Sequence, residues 1–226
     1  MQDPVAILFF SRSELEESQS KELLKGKDAI RNRHLFKALE RRTLQVIEKS
    51  KLPVYHLNEN QQIGATFGER LANAFEKVFS SGYDSVICVG NDASDLNHVN
   101  WILLTEELSQ GKNVIGPDLR QGAYLIGITK ECFNKSVFQQ LRWQTSYLIN
   151  DLRGYCKEHI ELIHVRDINT SKDLTRAMSS MRLLRYLIIN ICHYDLFLYP
   201  LVLHKLQNIA RIVSLRAPPY PSMTAA

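Results

Sequence analysis

Four short polar segments hold most of the residues able to do chemistry: Ser11-Arg12, Asn91 to Asp95, Gly116 to Gln121, and Arg166 to Asn169. Each follows a stretch that reads as a strand, and in open α/β sheets ligands bind outside the carboxyl ends of the strands. Asp92 lies just past the apolar run that ends at Val89. A carboxylate there suits Mg²⁺ or Mn²⁺, hard cations that bridge and neutralise a diphosphate. The same spacing suits a helix cap; it leaves both uses open for Asp92 and favours the turn or cap for Asp95. In GPDLRQGAYLIG, Gly116 to Gly127, the glycines let the backbone approach a ligand closely, and Asp118 and Arg120 suit a sugar or phosphate. Spacing alone leans toward a plain surface loop. Asp167 and Asn169 offer two oxygen donors on alternate positions, beside Asp92 if their strands neighbour in the sheet, or else form a turn before a capped helix.

A sheet is needed to bring these segments together. VAILFF, Val5 to Phe10, has the continuous apolar character of a strand covered on both faces, and the polar stretch Ser11 to Lys27 reads as an exposed loop. A helix is expected from about Ala29 to Ser50, a strand near Pro53 to Leu57, and a polar loop through Gln61 to Thr66. Phe67, Leu71, Ala74, Phe75, Val78 and Phe79 recur every three or four positions, which predicts a helix over Phe67 to Ser81 with Gly82 ending it. Strands over Asp84 to Val89, Asn113 to Ile115, Tyr124 to Ile128 and Ile160 to Val165 alternate with helices over Val99 to Leu108 and Thr145 to Lys157. Thr170 or Ser171 caps a final helix. The alternation implies a mainly parallel sheet between helical layers.

Composition narrows the classes. A chain of 226 residues with 45% hydrophobic content can bury one sizeable core. The formal charge of +4, from 28 basic and 24 acidic residues, is mild and dispersed, and the nearest basic run, Arg31, Arg33, Arg41 and Arg42, is interrupted by Glu40. Nucleic acid is therefore not the expected partner. Cys88, Cys132, Cys156 and Cys192 show no metal-binding or redox spacing, and no secretory signal is visible, so reduced thiols in the cytoplasm are expected. The seven histidines form no HExxH pattern, and no GxSxG elbow or Cys/His signature points to a hydrolase. The apolar stretch Leu183 to Leu203 is broken by Arg185, Asp195 and Pro200, which suits a packed or partner-binding helix better than a membrane span. The expected organisation is one domain over residues 1–178, a helical extension over 179–213, possible homodimer contacts through it, and a disordered tail over 214–226.

Taken together, FGERLANAFEKVFSSGYDSVICVGNDASDL, GPDLRQGAYLIGI, LRWQTSYLINDL and RDINTSKDL resemble a family of small bacterial GT-A-type glycosyltransferase-like proteins. These are known as radical-SAM/selenodomain-associated transferases, within the nucleotide-diphospho-sugar transferase superfamily. The resemblance spans roughly residues 5 to 178 as an ordered set of four motifs. It implies a three-layer α/β/α Rossmann-like sandwich with a mainly parallel mixed sheet. Gly68, Glu69, Arg70, Leu71, Gly82, Tyr83, Gly90, Asp92 and Leu96 match the first motif, in which Asp92 takes the place of the metal and diphosphate aspartate. Trp143, Thr145 and Ser146 match a WsTs motif, and Asp167, Thr170, Asp173 and Leu174 match DxDTxxDL, with Asn169 in place of its second aspartate. The chain departs from the family where DGGYYLIG becomes Arg120-Gln121-Gly122-Ala123-Tyr124-Leu125-Ile126-Gly127, where Ser94 replaces a proline, and where the basic PxPGxxKTRL segment is missing.

The resemblance implies a metal-dependent glycosyltransferase in which Asp92 with Asp167 or Asn169 holds Mg²⁺ or Mn²⁺ on the donor diphosphate. Ser11, Arg12, Lys21, Gly90 and Asn91 then face a nucleotide or nucleotide-sugar, Arg120, Gly122, Tyr124, Trp143 and Thr145 face the substrate, and Asp118 is the available general base. For Tyr124 and Trp143 the residue types alone favour packing over stacking on a base or sugar. Nucleotidyl transfer is a second reading, weakened because Ser11 to Lys25 contains no glycine to cradle a triphosphate. A binding protein or scaffold that has lost catalysis is a third, favoured by the arginine at position 120.

Overall fold

The computed structural model describes residues 4–24, 29–91, 93 and 96–178. In chain order the elements are β1 (Val5–Phe10), α1 (Glu14–Ser20), α2 (Ala29–Glu48), β2 (Val54–Leu57), α3 (Phe67–Ser80), β3 (Ser85–Val89) and α4 (Trp101–Ser109). There follow β4 (Asn113–Pro117), β5 (Ala123–Thr129), α5 (Lys135–Phe138), α6 (Leu148–Tyr155), β6 (His159–Glu161) and α7 (Ser171–Met178). The strands form one six-stranded sheet in the order β2-β1-β3-β5-β4-β6. β1 pairs in parallel with β2 and β3, and β4 with β6, whereas β5 runs antiparallel to both its neighbours.

The period of two along β1 separates the core into two layers. Ala6, Leu8 and Phe10 point to one face, where Leu71, Phe75 and Val78 of α3 pack with Phe138, Ile149 and Leu152. Val5, Ile7 and Phe9 point to the other, against Val46 and Ile47 of α2 and Leu104 and Leu108 of α4. A strand covered on both sides needs apolar residues at every position, which is why VAILFF carries no alternation.

α3 follows its apolar period. Thr66 accepts from the Glu69 N–H at 3.1 Å while Glu69 Oε2 accepts from the Thr66 N–H at 3.2 Å, a reciprocal cap. Gly82, at φ +96°, closes the other end with the left-handed residue a side chain would strain.

The structure departs from expectation in several places. Part of the stretch expected as an exposed loop forms α1, capped by Ser13. Buried Asn32 holds its far end by donating to the carbonyls of Ser18 and Lys21 and accepting from the Leu23 N–H. Seven residues are too few for an apolar period, so the helix depends on this tertiary clamp. The expected helix over Thr145 to Lys157 is shorter, because the Thr145 hydroxyl donates to the Arg142 carbonyl and forms a turn ahead of α6. α5 is an added helix, and the expected strand over Ile160 to Val165 shrinks to β6, leaving Val165 in an isolated bridge. No helix of the described residues is long and apolar enough to cross a membrane. The expected C-terminal helix, its dimer contacts and the tail lie outside the described residues.

Candidate functional site

The carboxyl ends of β1, β3 and β4 share one edge of the sheet with the amino end of the reversed strand β5. That edge collects Ser11, Gly90 and Asn91, Asp118, and Gly122. The segment after β6 then crosses the same edge: Val165 bridges Asp118 in parallel, and Asp167 bridges Ala93 in antiparallel. The carboxylate segment therefore arrives beside the residue that follows Asp92, although not as expected. β6 and β3 are not neighbours, and the irregular stretch from Val165 to Asp167 passes over the ends of β4 and β5 instead. Asp92, Ser94 and Asp95 themselves lie outside the described residues. Among the described residues no group of three or more histidines, cysteines and carboxylates is placed to hold a metal ion.

Asp118 organises the β4–β5 turn. Its N–H donates to the Gly122 carbonyl at 2.8 Å, and its Oδ1 accepts from the N–H groups of Arg120 and Gly122 at 2.5 and 2.7 Å. A Cβ on Gly122 would sit 2.5 Å from Asp118 Oδ2, so any larger residue there has to displace the carboxylate on which the turn is built. Gln121 takes the left-handed conformation at φ 69°. The buried carboxylate expected as a general base thus builds the loop.

Arg120 reaches across the site. Its Nη2 donates to Asp173 Oδ2 at 2.6 Å, an oxygen that also accepts from the N–H and hydroxyl of Thr170 at 3.0 and 2.7 Å. Arg166 Nη1 stands 3.8 Å from the other Asp173 oxygen. Burial alone would raise the Asp173 carboxyl; the hydrogen bonds from Arg120 and Thr170 outweigh it and hold the group below its ordinary value. Arg120 is raised in turn, by the Asp173 hydrogen bond first and with Asp167 and Asp118 adding to it. Arg120 pairs with Asp173 and lies in the field of Asp167 and Asp118.

Tyr124 has a core position. It is 2% exposed, its hydroxyl donates to the Ile163 carbonyl at 3.2 Å, and His98 Nε2 lies 3.1 Å from the same oxygen. Burial first, and then the charge of Asp167, raises its phenol. Its ring lies edge-on to His98 and packs over Gly116. Trp143 packs on Phe67 and Phe138 and donates from Nε1 to the Phe138 carbonyl at 2.9 Å. A Cβ on Gly68 would strike the Trp143 ring at 2.7 Å, so the first turn of α3 closes onto it. Thr145 serves the turn before α6, accepting from the Tyr147 N–H as well.

At the end of β1, buried Ser11 lies with its Oγ 3.0 Å from His56 Nε2 while its carbonyl accepts from Gln62 Nε2 at 2.8 Å. Glu40 Oε1 stands 3.6 Å from the same imidazole nitrogen. Burial lowers His56 and raises Glu40, so both lean toward their neutral forms. Sequence reasoning missed this trio; the one available signal was a histidine inside the short strand β2. Arg12 is exposed at the same edge, whereas Lys21 Nζ pairs with Glu17 at 3.2 Å.

Comparisons with known proteins agree with this architecture. A model of the family DUF2064, described as an uncharacterized protein conserved in bacteria, matches residues 36–145. No curated protein matches the chain. A provisionally assigned nucleotide-diphospho-sugar transferase from Desulfovibrio desulfuricans G20 superposes with a TM-score of 0.62 at 23% identity, covering 85% of this chain and 98% of that one. The 4-diphosphocytidyl-2C-methyl-D-erythritol synthase of Anaerococcus prevotii DSM 20548 gives a TM-score of 0.46 at 9% identity, covering 80% and 97%. The chain has the Rossmann-like α/β fold of the nucleotide-diphospho-sugar transferases.

Proposed function

We propose that this protein is a transferase that takes a nucleotide-diphospho-sugar as donor and binds its diphosphate through Mg²⁺ or Mn²⁺ at Asp92, Asp167 and Asn169. The observation that carries the reading is the bridge between Ala93 and Asp167, which brings a buried carboxylate beside the residue next to Asp92 at the carboxyl edge of the sheet. Oxygen donors from two carboxylates and an amide fit a hard divalent cation. When bound, the cation stabilises the negative charge of the departing nucleoside diphosphate.

The chain's own residues supply the frame. Ser11, Gly90 and Asn91 follow two adjacent strands, β1 and β3, and border the nucleotide, with Arg12 exposed beside them to meet a phosphate. Lys21, paired with Glu17, gives weaker support to such a contact. The Asp118 turn and Gly122 form the opposite wall, and Arg120 fixes that wall to α7 through Asp173.

Calorimetric titration with UDP, GDP, nucleotide-sugars, CTP and GTP, each with and without Mn²⁺, tests the reading. The expected outcome is metal-dependent binding of a nucleoside diphosphate or its sugar ester. Asp92→Asn and Asp167→Asn should each weaken it by at least about tenfold, the scale reached even when outer-shell partners of a metal are removed. A preference for triphosphates would move the assignment to nucleotidyl transfer, and binding of none of them would overturn it.

A further inference from the structure

A cleft of about 340 Å³ opens on the flank of α3, between that helix and the loop that follows β2. Arg70, Asn73 and Lys77 fall on successive turns of α3, which places them on one face of the helix, and all three line the cleft. Gln62 and Ile63 border it from the loop. Hydrogen bonds hold the two walls in place. Asn73 Nδ2 donates to the Ile63 carbonyl at 2.8 Å, and Gln62 Nε2 donates to the carbonyls of Ser11 and Leu57 at 2.8 and 3.1 Å.

The charges lining this cleft do not balance. Half-buried Arg70 makes no side-chain hydrogen bond or ion pair among the described residues, and its Nε is covered without a partner. Buried N–H groups are as a rule satisfied by protein, water or a bound group, so an orphan on a guanidinium marks a place where a ligand is accommodated. Exposed Lys77 likewise has no acid in ion-pair reach among the described residues. Glu76 is the one acid along the cleft, and Lys135 Nζ takes its carboxylate at 2.6 Å. Two cations are left uncompensated. Leu57, Ala74 and the largely exposed Ile63 give the rest of the cleft an apolar surface.

We propose that this cleft binds a small phosphate monoester, at a site separate from the carboxyl edge that receives the donor diphosphate. A phosphate monoester carries close to two negative charges at neutral pH and so matches Arg70 and Lys77 together. The guanidinium offers a planar fork to two phosphate oxygens, and the ammonium adds a point charge. Leu57, Ile63 and Ala74 receive the organic part of the ester. The volume lies at the small end of ligand pockets, which run from roughly 300 to 1,000 Å³, and suits a monoester better than a whole nucleotide-sugar. No divalent cation is needed, because the cleft supplies the counter-charge itself.

The test titrates phenyl phosphate into the full-length chain by calorimetry, at low ionic strength and with EDTA present so that no divalent cation serves the carboxyl edge. The expected result is one-to-one binding that weakens as salt is added, with phenol giving none. Arg70→Gln and Lys77→Gln should each weaken it by about tenfold or more, the scale of one charge-assisted hydrogen bond, while Arg12→Gln leaves it unchanged. Lys77 is exposed, so its variant decides alone should Arg70→Gln fail to fold by circular dichroism. Absence of binding, binding indifferent to both α3 variants, loss of binding in Arg12→Gln, or equal binding of phenol overturns the proposal. The metal-dependent titration with nucleotides is read separately, so either site can fail without the other.

Discussion

Asp173 is almost wholly covered, yet it accepts from Arg120 and from both the N–H and hydroxyl of Thr170. Its carboxyl is held below the ordinary aspartate value, so its ionised form is bound more tightly in the folded chain than in the unfolded one. The stability it contributes is complete above the unfolded value, near pH 4, and is lost as pH falls through the lower folded value. Asp173→Asn should cost about 1.5 to 3 kcal/mol at neutral pH, the range for a hydrogen bond to a charged group. Below about pH 4 the variant's unfolding free energy should also fall less steeply than that of the wild type. Urea unfolding of both proteins from pH 7 down to pH 3 checks the sign; parallel curves would show that the pair does not govern acid stability. Motif matching located Asp173 but said nothing of its partner, because an ion pair spanning more than fifty residues leaves no local trace.

At the scale of the element, the β4–β5 turn and α6 make opposite demands on glycine. Alanine at Gly122 would place a Cβ 2.5 Å from Asp118 Oδ2, whereas at Gly154 in α6 a Cβ meets nothing within 4 Å. Gly122→Ala should destabilise by about 1 to 3 kcal/mol through overpacking, and Gly154→Ala should stabilise by about 0.5 to 1 kcal/mol through reduced chain entropy. Denaturant midpoints of the two variants measure both, and a neutral Gly122→Ala would mean the turn can open without cost. Most elements were legible because their apolar residues follow the period of two or 3.6 that burial requires. The reversal of β5 was harder to read, since an apolar strand looks the same in either direction. Its signal was the short stretch from Asp118 to Gly122, too brief for the crossover of a dozen or more residues that a parallel strand needs. α1 was missed because its support comes from Asn32 on another helix.

Across the whole molecule, one face of the sheet is filled by a connected set of rings. Phe138 is fully buried and touches Phe75, Phe133, Trp143 and Tyr155, joining α3 to the segment that precedes α6. Phe138→Ala should cost about 3 to 5 kcal/mol, the range for emptying a buried aromatic position, and Phe138→Leu distinctly less. Equilibrium unfolding in urea distinguishes them; equal losses would show that ring geometry rather than volume holds this layer. The sequence indicated the layers and the four polar segments at the carboxyl edge, but not the route by which the last of them reaches it. The path of Val165 to Asp167 over the strand ends is irregular, and irregular backbone has no period to announce it.

The helices that start at this edge have a consequence for charge. α1 carries Glu14, Glu16 and Glu17 in its first turn, α3 is closed by Glu69, and α7 by Asp173. In each, the positive end of the helix dipole is already met by the protein's own carboxylates, and β5 enters the edge as an arriving strand that launches no helix there. At these three helices the electrostatic potential that Gly-rich phosphate loops obtain from free helix N-termini is spent internally, whereas α4 starts behind Asn100 with no acid in its first turn. On the proposed reading, a diphosphate seated against α1, α3 and α7 meets carboxylates rather than free helix ends, and its binding should follow divalent cation concentration more closely than it follows Arg12.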